Sequence, residues 1–357
     1  MAASPNRVES KPPRRFLRRL ATAAKIAGIL VLLVLIAGAT YEWAASTRDA
    51  RLYPPPGQFF RVGDHNLHIY CTGEGSPTVI LDAGLGDSVA SWDLVQPEIS
   101  KFTRVCSYDR AGLGWSEFTS GPRTSEVIIA EEAQLLTAAG VQPPYIVVGH
   151  SFGGMNQRLF AFRHRDQVVG IVFVDSSHPD QLNRFPKSLA IESYLGHMDI
   201  GVLTTPLGVP RLLHWCRDDY TFAAAPHEWD RFQPIASALE CREANWRASR
   251  AEEISFRESG REVAAATTLG NIPLVVLSHD PAKGAGFPPD IAVQAESLWN
   301  EMQEELRALS NNGKRIIAKG SGHYVEVYRP ELVIGAIRDV VNSAHTGASI
   351  AAATTTQ

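Results

Sequence analysis

Tyr145-Ile146-Val147-Val148-Gly149-His150-Ser151-Phe152-Gly153-Gly154 opens as a run of β-branched and aromatic residues and ends in a Gly-x-Ser-x-Gly turn. The run reads as a buried strand. A helical pattern follows, with Met155, Leu159 and Phe162 on one face. A serine at a sharp strand-to-helix turn sits in strained backbone geometry, its hydroxyl presented at the end of the sheet. The flanking glycines are needed because a side chain there would collide with neighbouring backbone. Ser151 is therefore the leading candidate nucleophile.

The same rhythm extends outward in both directions. Residues 59–62 and 67–70 flank Gly63-Asp64-His65-Asn66 and read as a hairpin of alternating strands. Residues 77–81 form a third strand, ending in Asp82-Ala83-Gly84-Leu85-Gly86-Asp87-Ser88, and residues 103–108 a fourth. A helix over about 125–139 stops at Gly140. Beyond the serine come strands at 168–175, 272–277 and 315–318, and a last helix from about 330 to 342 with Pro330 in its first turn. Continuous apolar strands alternating with helices predict an α/β fold, a mainly parallel sheet covered on both faces. Residues 176–270 break the rhythm with Trp215, Trp229, Trp246 and helical patterns, and read as a cap inserted between two strands.

Charge is unevenly spread. Residues 1–25 hold seven Lys/Arg (Arg7, Lys11, Arg14, Arg15, Arg18, Arg19, Lys25) against Glu9. Taking these from the totals of 34 basic and 38 acidic residues leaves 27 against 37, a balance of −10. An acidic body argues against nucleic-acid binding, which rests on phosphate neutralisation. The basic cluster (1–24) precedes an apolar segment (25–45) whose core, residues 26–40, carries no charge. With Lys25 snorkelling and residues 21–24 added, it reaches the roughly 20 residues that span a bilayer. The positive flank places the N-terminus in the cytoplasm and the body outside, with Tyr41 and Trp43 as an interfacial belt. A cleaved signal peptide with Ala37-Gly38-Ala39 at its processing site, and hence secretion, is the rival. Either way the body is exported. Residues 46–57, ending in Pro54-Pro55-Pro56-Gly57, read as a linker, 58–345 as the folded domain and 346–357 as a disordered tail. Cys71, Cys106, Cys216 and Cys241 are an even set for an oxidising compartment, or else four small buried hydrophobes. No His/Cys cluster has metal spacing.

Three motifs then stand in order: Gly149-His150-Ser151-Phe152-Gly153-Gly154, Ser107-Tyr108-Asp109-Arg110-Ala111-Gly112-Leu113-Gly114-Trp115-Ser116, and Ser321-Gly322-His323-Tyr324. Over residues 58–343 the chain resembles the α/β-hydrolase superfamily, in the capped, serine-nucleophile branch that holds esterases and proline iminopeptidases. The resemblance implies an eight-stranded sheet whose second and fourth strands are neighbours. That arrangement makes a Cys71–Cys106 disulfide credible and leaves Cys216 and Cys241 to pair within the cap.

It also implies a triad in the order Ser, acid, His. His323 follows the last strand by a short Gly-containing turn and takes the base position. The acid expected is Asp280, after the seventh strand in Ser278-His279-Asp280-Pro281; Asp175, after the sixth, is the alternative, and Asp290 a third. The oxyanion hole falls to the backbone N–H groups of Leu85 and Phe152. Many relatives carry His-Gly where this chain has Ala83-Gly84, so the bracing that the histidine supplies is absent. Asp109 and Arg110 read as loop-bracing charges rather than chemical groups.

The function expected is cleavage of a carboxylic ester, through an acyl-enzyme and with no cofactor, by a membrane-anchored hydrolase acting on a small-molecule ester or amide. A proline-iminopeptidase-like aminopeptidase is the alternative, with Glu228, Asp230, Glu240 or Glu243 to hold the substrate amine. A non-catalytic binding protein on the same fold is the third reading.

Overall fold

Side chains along a strand alternate between the two faces of its sheet, and here both faces are apolar. Ile80, Cys106, Val147, Ile171, Phe173 and Val276 enter one core, while Val79, Leu81, Ile146, Val148, Val172 and Val275 enter the other. The structure, a computed structural model, describes residues 14–186, 191–216, 232–284, 291–351 and 355–357.

The strands are β1 (Gln58–Val62), β2 (His65–Thr72), β3 (Thr78–Asp82), β4 (Val105–Tyr108), β5 (Tyr145–His150), β6 (Val168–Val174), β7 (Leu274–His279), β8 (Gly313–Ala318) and β9 (Thr355–Thr356). The longer helices are α1 (Arg14–Leu52), α2 (Ser125–Ala138), α3 (Ser151–Arg163), α4 (Ile191–Thr204), α5 (Gln233–Glu240), α6 (Glu243–Ala264), α7 (Ala292–Arg307) and α8 (Pro330–Thr346). One sheet runs β1-β2-β4-β3-β5-β6-β7-β8-β9. The β1–β2 and β2–β4 pairs are antiparallel and all later pairs parallel. Leu135 and Leu159, from α2 and α3, fill the first core; Val333, Ile337 and Val340 of α8 fill the second.

Three boundaries differ from expectation. The segment 46–57 is helical as far as Leu52, because nothing in residues 41–52 interrupts α1 before Pro54. Strand β7 begins at Leu274 rather than Ile272: Pro273 has no N–H for the ladder, and its carbonyl accepts from Ile171 instead. The tail expected to be disordered is anchored in its described part. Asn312 Oδ1 accepts from the N–H groups of Ile350 and Ala351, and β9 adds a ninth strand beside β8. One anchor is a distant side chain and the other a strand ladder, and the composition of the tail announces neither.

Helix α1 is the one helix among the described residues long and apolar enough to cross a membrane, with mean hydropathy 2.5 over its most apolar window. Between β6 and β7 the described chain is helical, carrying α4, α5 and α6. Disulfides join Cys71 to Cys106 across the paired β2 and β4, and Cys216 to Cys241 in the inserted segment.

Candidate active site

Ser151 lies where β5 turns into α3, with φ +49°, a left-handed conformation that costs a non-glycine residue energy. The turn is tight on both sides. A Cβ at Gly149 would sit 2.5 Å from the backbone of Gly153 and Gly154, and one at Gly153 would run into the carbonyls of Asp82 and Ala83. The serine elbow is thus packed on the end of β3, the strand that delivers Leu85.

Parallel pairing then gathers the other groups at one edge. His150 pairs with Val174, so Ser151 and Asp175 leave adjacent strands side by side, and Ser177 N–H donates to the Ser151 carbonyl at 2.9 Å. Asp175 also has a positive φ, +40°, and is fully buried. Its Oδ2 lies 2.6 Å from His323 Nδ1. The carboxylate that meets the His323 imidazole is therefore that of Asp175, the alternative acid of the sequence reading. Asp280, the first choice, is engaged otherwise. It accepts from the N–H groups of Ala282 (3.0 Å) and Gly320 (2.9 Å). These bonds hold its carboxyl below the usual carboxylate range and brace the loop that carries His323. Asp290 lies outside the described residues.

Asp175 receives more than one imidazole. His279, the last residue of β7, brings its backbone N–H to Oδ1 at 3.0 Å and its Nδ1 to Oδ2 at 2.8 Å. Trp299 Nε1 donates to Oδ1 at 2.9 Å. His279 Nε2 faces Glu296 Oε2 at 2.7 Å. Burial favours neutral His279, but the two carboxylates outweigh it and raise its pKa to about 10, so the ring is an imidazolium at neutral pH. Burial likewise opposes charge on Asp175, yet His279 and His323 hold its carboxyl well below the ordinary range. Glu296, His279, Asp175 and His323 thus form one chain of contacts, of which the sequence pattern signalled only the last two. A histidine or glutamate in these places carries no motif.

His150 donates from Nε2 to the His323 carbonyl at 3.1 Å, its ring 4.7 Å from that of His323. Burial, and then the neighbouring His323 ring, push the His150 pKa down, which suits a neutral donor. The loop bearing Leu85 is held from beneath by Arg110. Its guanidinium reaches the carbonyls of Ala83 (2.7 Å) and Gly84 (2.6 Å), Asp82 (2.6 Å) and Glu252 (2.6 Å). Glu252 also accepts from Gly86 N–H at 3.1 Å. Arg110 thus braces the loop that carries Leu85. Phe152 opens α3, where backbone N–H groups lack helical partners and the helix dipole favours negative charge. Asp109 accepts from Val89 N–H and Trp115 N–H and pairs with His68, all within the fold.

A cavity of about 220 Å³ has Leu85, His197, Trp215, Asn245, Trp246 and Tyr324 in its wall, and reaches the site through Leu85 and through Tyr324, the neighbour of His323. Glu240 also lines it, while Glu243 pairs with Arg247 at the surface. Glu228 and Asp230 lie outside the described residues. Among the described residues no group of His, Cys, Asp and Glu is arranged to hold a metal ion.

The model of the alpha/beta hydrolase family matches residues 79–336, and the chain belongs to that family. It is 27% identical over 268 residues to the uncharacterized protein YqjL of Bacillus subtilis, covering 75% of this chain and 85% of that one. A thermophilic esterase from Thermogutta terrifontis superposes with a TM-score of 0.61 at 19% identity, over 81% of this chain and 99% of its own. The enol-lactonase from Burkholderia xenovorans does so with 0.58 at 17%, over 80% and all of its length. At these identities the two structures share the fold.

Proposed function

We propose that the protein is a serine hydrolase that cleaves a carboxylic ester through an acyl-enzyme, with Ser151, His323 and Asp175 as its triad. The observation that carries the reading is the 2.6 Å contact of buried Asp175 with His323 Nδ1, beside a serine held at positive φ. With Nδ1–H committed to Asp175, His323 Nε2 is free to act as base. It takes the Ser151 proton as Oγ adds to the ester carbonyl. The oxyanion is received by the N–H groups of Leu85 and Phe152. The imidazolium then gives its proton to the departing alcohol, and water repeats the sequence to release the acid. Asp175 fixes the tautomer and stabilises the imidazolium; it does not take the proton. The names of the esterase and the lactonase that share the fold are consistent with an ester substrate.

Release of p-nitrophenol from short-chain p-nitrophenyl esters, abolished in Ser151→Ala, is the expected result. A folded wild-type protein no faster than Ser151→Ala would overturn the reading. Glu240 in the cavity wall favours a second one, an aminopeptidase that holds the substrate amine there. Turnover of a proline arylamide in preference to the esters, lost in Glu240→Gln, would establish it instead.

A further inference from the structure

The cap face around residues 200–213 is apolar, exposed and seated on the last turns of α1. Ile200 is 50% exposed, Leu203 77%, Leu212 55% and Leu213 55%. The two charges between residues 199 and 213 are both occupied. Asp199 pairs with Arg250, and Arg211 pairs with Glu42 (3.1 Å) and Asp49 (2.6 Å) of α1. The seat is close: a Cβ at Gly38 would come within 2.8 Å of the Leu207 carbonyl oxygen, and one at Gly208 within 2.7 Å of the Tyr41 ring.

This contact fixes the height of the face. Gly38 belongs to the uncharged run that ends at Thr40, and Glu42 is about one helical turn further on. Leu207 therefore lies level with the end of the apolar span, and Arg211 just above it. On α1 itself, Tyr41 and Trp43 are exposed at this level, Trp43 by 71%, as side chains of a membrane interface are.

We infer that residues 200–213 rest in the outer surface of the bilayer that α1 crosses, so that lipid covers Ile200, Leu203, Leu212 and Leu213. The occupant is a phospholipid bilayer, because the face continues the lipid-facing surface of α1 at matching depth. The inference depends on α1 being a retained anchor. His197, Met198 and Trp215, which flank this face in the chain, line the cavity that also has Leu85 and Tyr324 in its wall.

The test uses the full chain in phosphatidylcholine vesicles. Among the described residues the native cysteines are all in disulfides, so an introduced thiol labels selectively. A fluorophore is placed at Leu203→Cys or Leu213→Cys, at Val34→Cys within the span, and at Lys101→Cys, which precedes β4 at the opposite end of the sheet. Nitroxide-bearing lipid should quench positions 203 and 213 about two-fold or more above position 101, as befits groups buried about 5–10 Å into the headgroup boundary. Quenching at Val34 with none at 203 and 213 would overturn the inference and leave the anchor standing. Absence of quenching at Val34 as well would overturn both. Unquenched 203 labels that crosslink two chains would assign the face to a second copy instead.

Discussion

Asp175 is asked to serve two imidazoles from one buried carboxylate, and that sharing has measurable consequences. Replacing Asp175 with Asn removes the acceptor that fixes His323, and turnover should fall by about 10³–10⁴. Asp280→Asn weakens loop hydrogen bonds worth about 1 kcal/mol each, a change within about ten-fold; the reverse ranking in ester turnover would transfer the acid role to Asp280. His279 makes a pH signature. Its pKa is raised from 6.5 to about 10 on folding, so its contribution to stability is fully present below pH 6.5 and is lost as pH rises towards 10. The melting temperature of the wild type should drop over that window by more than that of His279→Gln, and parallel curves would refute a charged His279. The proposed nucleophile and base, Ser151 and His323, were legible as candidates because such roles impose a local pattern, a Gly-flanked turn and a Gly-His loop. The carboxylate partner of His323 was not, since Asp175 and Asp280 both follow strand ends and it is Asp175, with φ +40°, whose carboxylate meets His323.

At the scale of elements, the β3 turn and the cap helix α6 are joined through Arg110. This guanidinium is buried between Asp82 and Glu252, which are themselves fully buried. Arg110→Met leaves two acids without their cation, and breaking such a buried network costs about 3–5 kcal/mol. Denaturant unfolding should register a loss of that size, together with slower ester turnover as the Leu85 loop loosens. A loss under about 1 kcal/mol would mean that the network is not integral to the fold. The strands and the two long covering helices were readable from apolar runs and caps, since local pattern and tertiary role coincide there. The packing of the last turns of α1 and the pinning of the tail were not. One is a contact with residues 207–211, distant in the chain, the other Asn312 accepting from the tail backbone.

At the scale of the whole molecule, an apolar N-terminal helix and two disulfides suit an exported body. The unreduced protein should yield no alkylatable thiol, and four after reduction, since Cys71–Cys106 and Cys216–Cys241 use the full set in the sequence. Free thiols in protein recovered from the exported fraction would contradict that picture. The pairing was foreseeable once the strand order was, because β2 and β4 are neighbours. How the cap sits on α1 was not: no periodicity in residues 200–213 reports a contact with residues 38–49.

The most direct test of the central claim is reaction of the full chain with a fluorophosphonate probe, followed by peptide mass spectrometry. The account predicts one adduct, on Ser151, absent in Ser151→Ala and strongly slowed in Asp175→Asn. A folded protein that forms no adduct on Ser151, or labels equally fast without Asp175, would contradict it.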